Sequence, residues 1–330
     1  MPESLALLIL VIVVAIGFGV ANGFNDAANA IAAVIGSRAL SPRAAIVMAA
    51  FFNFAGAATG TAVAMTIGKG IVDAQALTLT TVIAGAGAIV IWAVVATRYG
   101  IPISLTHGLV AGLVGAGITI SGSGSIIWGV LAKVISAVGI APLLGFAGGF
   151  LLMVIIMWLF RRSALAKVRT IFGNLHILSA AFMAYSHGKN DGQMPIGLMS
   201  MALMVYYGWS EFQIPLWVII VSAASISLGT ATGGWRVIRT LGLRMTNLRP
   251  VQGFAATTSA ATVIEIASHF GIPVSTTHCI STSVMGVGAT RRLSAVRWGI
   301  ARSIVLAWIL TFPICGILGW LIALLLKVVL

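Results

Sequence analysis

Gly100-Ile101-Pro102-Ile103-Ser104-Leu105-Thr106-His107 returns 171 residues later as Gly271-Ile272-Pro273-Val274-Ser275-Thr276-Thr277-His278. A second pair keeps the same order: Gly23-Phe24-Asn25-Asp26 and Gly188-Lys189-Asn190-Asp191, 165 residues apart. A third is Trp128-Gly129 and Trp298-Gly299, each followed by a cation (Lys133, Arg302) and then a proline (Pro142, Pro313). Three ordered matches at nearly constant spacing describe a duplicated chain. The expected halves are residues 1–160 and 171–330, joined by a basic connector at 161–170.

Composition sets the environment. The chain has 330 residues, 60% hydrophobic and 8% charged, with a mean hydropathy of +1.11. Soluble domains carry about 25% charged residues. Long apolar runs such as Leu5–Ala21 and Phe146–Phe160 suit membrane helices, which need roughly 17–25 apolar residues. A membrane barrel would show ~10-residue alternating segments instead. The fold class expected is therefore an all-α polytopic membrane protein. The 38 glycines suit close helix packing in lipid. Met1-Pro2-Glu3-Ser4 lacks a basic flank, so the first apolar run reads as a retained helix rather than a leader.

Charge assigns sides. Four basic loops stand out: Arg38 with Arg43; Arg161, Arg162, Lys167 and Arg169; Arg236, Arg239, Arg244 and Arg249; Arg291, Arg292 and Arg297. Placing them inside puts Asp73 and Glu211 outside. Only Lys133 sits awkwardly. The net charge of +13 then reflects these loops rather than nucleic-acid binding. The first half begins outside and the second inside, so the repeats have inverted topology and both termini lie outside the cell membrane. Segments 100–121 and 271–289 either cross or re-enter, as broken helices forming a central site.

Carboxylates in apolar sequence are costly and so mark function. Gly23 and Asn25 favour a break in the first helix, which membrane depth tolerates only beside a cavity. Freed carbonyls, amide oxygens and a carboxylate suit a small cation. Sodium candidates are Asn25, Asp26, Asn190 and Asp191; Asn29, Gln193 and Glu265 are further cation-binding or coupling candidates. The Pro-x-Ser-x-Thr-His segments offer hydroxyl donors to an oxyanion at Ser104, Thr106, Ser275, Thr276 and Thr277. The same residues can cap helices. His107 and His278 read as structural histidines bonded to backbone carbonyls rather than as proton carriers. His187 is weighed the same way, and His176 and His269 are placed near helix ends at the interface. Lys189 either draws an anion inward or snorkels to the surface. The cassette centre has no histidine, which favours sodium over a proton.

Cys279 and Cys315 have no metal-ligand spacing. There is no G-x-x-x-x-G-K-[ST] run and no supported Ser-His-Asp set, so no enzyme and no cofactor is expected. The leading reading is a secondary transporter working by alternating access. An ion channel built on the broken helices is the alternative from another class.

G-F-N-D-A-A-N-A at 23–30 and H-G-K-N-D-G-Q at 187–193, with P-I-S-L-T-H and P-V-S-T-T-H, resemble the duplicated signatures of the inorganic phosphate transporter (PiT) family. The resemblance spans roughly residues 20–330. It implies an inverted-repeat symporter importing inorganic phosphate with sodium or protons, and association as a homodimer. It also implies that Asn25, Asp26, Asn190 and Asp191 line the ion and phosphate site, with the five hydroxyls beside them. The second cassette lacks the A-N-A that follows the first, Met194 stands where relatives often carry Lys, and Leu105 stands opposite Thr276. The family also contains sulfate carriers, so a sulfate permease is the alternative within this fold.

Overall fold

The computed structural model describes residues 4–233, Ile238 and residues 248–329. Arg236, Arg239 and Arg244 lie outside the described residues, so their loop is represented by Arg249. Twelve α-helices make up almost all of what is described. The first half holds α1 (Leu5–Gly36), α2 (Pro42–Ala58), α3 (Ala62–Gly70), α4 (Leu79–Tyr99), α5 (Leu105–Ser121) and α6 (Trp128–Leu159). The second holds α7 (Leu165–Asp191), α8 (Gln193–Tyr207), α9 (Leu216–Thr232), α10 (Pro250–His269), α11 (Thr276–Ala289) and α12 (Trp298–Val329). α1, α4, α6 and α12 are each long and apolar enough to cross a bilayer, and α2 with α3, bent by 64°, makes either a broken span or a re-entrant loop. The chain is a multi-pass membrane protein.

The opening octapeptides explain their own structure. Gly100 and Gly271 take left-handed φ values of 69° and 66°, a conformation that glycine enters without steric cost. Each closes a Schellman motif. Gly100 N donates to Thr97 O and Ile101 N to Ala96 O; Gly271 N donates to Ser268 O and Ile272 N to Ala267 O. Proline follows and holds the chain extended. Ser104 and Ser275 then cap the next helix, accepting from His107 N at 3.3 Å and His278 N at 3.2 Å.

Each octapeptide is therefore the tip of a helical hairpin, α4–α5 and α10–α11. The first folds back on itself: Ser121 Oγ at the end of α5 donates to Ala76 O just before α4, at 2.7 Å. α5 spans only 17 residues and α11 only 14, about 25 and 21 Å at ~1.5 Å per residue. Both fall short of the ~30 Å hydrocarbon core.

Packing recurs with partners exchanged. α5 lies along α12 and α6 along α11; α1 packs on α9 and α7 on α2; α1 also meets α4, as α7 meets α10. The cassette glycines make two of these contacts possible. A Cβ on Gly23 would clash with the Ile226 carbonyl of α9, and one on Gly188 with the Asn53 carbonyl of α2. α6 and α12 each carry an internal proline, Pro142 and Pro313, which removes one helical hydrogen bond.

The expected break at Gly23 and Asn25 does not occur. α1 runs unbroken through its cassette to Gly36, because these residues pack against α9 and α4 rather than line an opening. The second cassette does end a helix. α7 stops at Asp191 and α8 starts at Gln193. Pro195 has no N–H to give the Asp191 carbonyl. Two apolar clusters flank the cassettes. Leu8 to Phe18 of α1 belong to one and Ala28 to Val34 to the other, with Asn22, Asn25 and Asp26 between them.

Candidate functional site

Between the clusters lies a buried polar layer. Asn25, Asp26, Asn29, Asn190, Asp191, Thr276 and Thr277 are each no more than 2% exposed, so water reaches the layer only if helices move. α1 supplies the first three, α7 the next two and the start of α11 the hydroxyls.

The two asparagines that precede the aspartates play matched parts. Asn25 Nδ2 donates to Thr97 Oγ1 at 2.6 Å, and Asn190 Nδ2 lies 2.9 Å from Ser268 Oγ. Thr97 and Ser268 are the C-terminal residues whose carbonyls close the two Schellman motifs. Each cassette is thus tied to a hairpin tip. With its amide turned over, Asn190 accepts from Ser268 and donates to Val274 O at 3.0 Å and Asp191 Oδ1 at 3.1 Å. That orientation satisfies both amide atoms.

The carboxylates converge on α11. Thr277 Oγ1 donates to Asp26 Oδ1 at 3.0 Å. Thr276 Oγ1 lies 3.2 Å from Asp191 Oδ2 and 3.5 Å from Asp26 Oδ2, and its single proton serves one at a time. Asn29 Nδ2 donates to Thr276 Oγ1 at 3.2 Å and Thr277 Oγ1 at 2.9 Å. Asn29 and both threonines therefore order the acidic pair.

His187 completes the cluster and corrects the expectation of a centre without histidine. Its Nε2 lies 3.4 Å from Asp191 Oδ2 and 3.9 Å from Asp26 Oδ2. Ligand atoms of Asp26, His187 and Asp191 all fall within 4.8 Å of one another, a set able to hold a cation. Its spacing from Asp191, i to i+4, was legible, since such residues share a helix face. Its approach to Asp26 was not.

A relay behind His187 sets its tautomer. Thr230 Oγ1 donates to Ile226 O at 2.9 Å, so its oxygen accepts from Asn53 Nδ2 at 2.8 Å. The Asn53 carbonyl oxygen then faces His187 Nδ1 at 2.7 Å. A carbonyl only accepts, so Nδ1 carries a proton and Nε2 is the atom turned to the carboxylates. Sequence reasoning missed Asn53 and Thr230. The one available signal was an asparagine inside the apolar run Phe51-Phe52-Asn53-Phe54.

Other candidates lie apart from the acidic cluster. Ser104 and Ser275 are caps, and because each accepts, its own proton is free to donate. Thr106 Oγ1 donates to Val274 O at 3.1 Å, joining the two hairpin tips. Gln193 Oε1 accepts from Val63 N at 2.8 Å and Ala64 N at 3.1 Å, capping α3. Its nitrogen donates to Lys189 O at 2.6 Å. Glu265 is bonded to Lys189, in a pair whose side chains are 17% and 27% exposed. Their first-half counterparts are Phe24 and Val94, so this pair has no charged counterpart in the first half.

His107 and His278 meet where the hairpin tips meet, with ring centroids 4.8 Å apart. Neither bonds a backbone carbonyl through its ring, contrary to expectation; all four ring nitrogens lack partners among the described residues. Phe312 stacks on His107 and Trp308 lies against His278. His176, expected at the interface, is fully buried and bonds Ser37 Oγ through Nδ1 at 3.0 Å.

Comparison with known proteins agrees with this architecture. A model of the phosphate transporter family matches residues 22–319. A probable low-affinity inorganic phosphate transporter of Rhizobium meliloti (strain 1021) is 43% identical over 95% of this chain and 94% of its own length. One of Bacillus subtilis (strain 168) is 40% identical over 97% of both. Among solved structures, one described as the sodium-dependent phosphate transporter superposes with a TM-score of 0.91 at 25% identity, covering 99% of this chain and 100% of that one. These relatives are transporters rather than enzymes. A family match over residues 22–319, relatives 40–43% identical along nearly the whole chain and a fold shared end to end place this chain in the phosphate transporter family.

Proposed function

We propose that the protein is a secondary symporter that imports inorganic phosphate with sodium by alternating access. The observation that carries this is the convergence of Asp26 and Asp191 with His187 on Thr276 and Thr277, at the N-terminus of a short helix. Two carboxylates at that separation repel unless a cation or proton lies between them. A sodium ion held by Asp26 and Asp191, with Asn29 and Asn190 ordering them and Asn25 offering its unpartnered carbonyl oxygen, cancels that repulsion. The first-turn N–H groups of α5 and α11 have no intrahelical partners and carry positive dipole ends. With the free hydroxyl protons of Ser104 and Ser275 they suit an oxyanion; Thr106, Thr276 and Thr277 join as donors once they release Val274 O and the carboxylates. Binding the cation makes the centre less negative and so favours the anion, which is coupling in its simplest form. Gln193 and Glu265 act in support of this centre, through the α3 cap and the Lys189 pair.

Residues 1–160 and 171–330 serve as two inverted repeats, a reading supported by the exchanged packing of the helices. Burial of every central residue favours a closed state that opens to each side in turn. The basic loops face the cytoplasm, both termini lie outside, and two copies form the working unit.

One observation favours protons instead of sodium: His187 Nε2 faces both carboxylates and could carry the coupled charge. Uptake of labelled phosphate into proteoliposomes, driven by a sodium gradient and separately by a proton gradient, tests both. Sodium-driven accumulation, inhibited weakly by sulfate, is expected. Proton-driven uptake alone would move the coupling to His187, strong sulfate inhibition would change the substrate, and no gradient-driven uptake would end the symporter reading.

A further inference from the structure

One end of the molecule carries a groove remote from the acidic centre. Two adjoining cavities of about 410 and 340 Å³ open between the end of α6, the starts of α7 and α10, and the end of α11. Both lie in the roughly 300–1,000 Å³ range of ligand pockets. They share Leu165 and Arg249 as walls, so they form one trough.

Its chemistry is divided. Arg169 and Arg249 line one cavity, and Arg161, Arg249 and Arg291 the other. None of these arginines is in an ion pair among the described residues. Arg161 lies over the Trp158 ring, with 5.3 Å to its centroid, which steadies it at the rim. Below the arginines the wall is apolar, including Phe160 and Leu165. Leu165 is 84% exposed, so its side chain is left for something outside the protein to cover.

We propose that this trough binds an anionic phospholipid of the leaflet that the basic end meets. The arginines take the headgroup phosphate, and Phe160 and Leu165 take the upper acyl chain. Basic pockets between membrane helices suit such headgroups. Free phosphate would satisfy the arginines but leave the apolar wall uncovered, and a zwitterionic lipid would gain little from four cations.

The test is lipid retention by the whole protein, purified in detergent and measured by native mass spectrometry with phosphatidylglycerol or phosphatidylcholine added. Phosphatidylglycerol should be retained preferentially. Arg169→Gln with Arg249→Gln should weaken it by on the order of fivefold per arginine. Arg43→Gln, an exposed arginine at the start of α2, should leave retention unchanged. If the double variant does not fold, Arg291→Gln alone carries the same expectation. Equal retention of the two lipids, an equal loss in Arg43→Gln, or displacement by millimolar inorganic phosphate would each overturn the proposal.

Discussion

Replacing Asn53 by Ala removes a residue that contacts no carboxylate, yet it should weaken cation dependence strongly. Asn53 Oδ1 is the acceptor for His187 Nδ1 at 2.7 Å, and both residues are wholly buried. In the variant that N–H has no partner, which costs about 1–3 kcal/mol. The ring must then turn or tilt, and Nε2 leaves its position 3.4 Å from Asp191. Loss of such an outer-shell partner commonly lowers ion affinity by about 10–100-fold, and ~2 kcal/mol corresponds to the middle of that range. The assay is phosphate uptake into proteoliposomes across a series of sodium concentrations. The half-saturating concentration should rise about 10–100-fold, with the protein still folded by thermal melting. His187→Ala supplies the control. If Asn53 acts through the ring, the double variant should be no worse than His187→Ala alone. Wild-type sodium dependence in Asn53→Ala, or full additivity of the two changes, would refute the relay.

Further consequences follow from packing. Gly188→Ala should fail to fold or melt far lower, since its Cβ would meet the backbone of α2 rather than a movable side chain; a normal melting temperature would remove the close approach of α2 and α7. Gly271→Ala should cost at least about 1–2 kcal/mol, through its left-handed φ and through a Cβ that would lie 2.9 Å from the Ala62 carbonyl, read as a lower melting temperature, whereas Gly173→Ala, where a Cβ meets open space, should cost almost nothing. Glu265→Gln should impair stability more than Glu265→Gln combined with Lys189→Met, because the single change leaves a part-buried ammonium unpaired. A double variant less stable than either single would show that the pair itself stabilises.

The octapeptides were legible because each residue acts locally: a left-handed glycine stops one helix, proline extends the chain and serine caps the next. The membrane class was legible for a similar reason. In lipid, helices must satisfy their own backbone, so composition and run length suffice. Gly23 was misread because its partner, the Ile226 carbonyl, is distant in sequence. A glycine that weakens a helix and one that lets two helices touch look alike until the facing carbonyl is known. Pairing of Glu265 with Lys189 across 76 residues was hidden in the same way. The acidic cluster lies between these cases. Both aspartates were evident from their cost in an apolar run. That Thr276 and Thr277 would bond them, rather than wait for an anion alone, depended on where α11 begins in space.

The central claim is that Asp26 and Asp191 form one cation site coupled to phosphate. Its most direct test is simultaneous measurement of labelled sodium and phosphate entry into proteoliposomes holding wild type, Asp26→Asn or Asp191→Asn. Wild type should move the two ions in fixed ratio, and either substitution should abolish coupled entry of both while the protein remains folded. Phosphate accumulation at the wild-type rate in either variant would contradict the account.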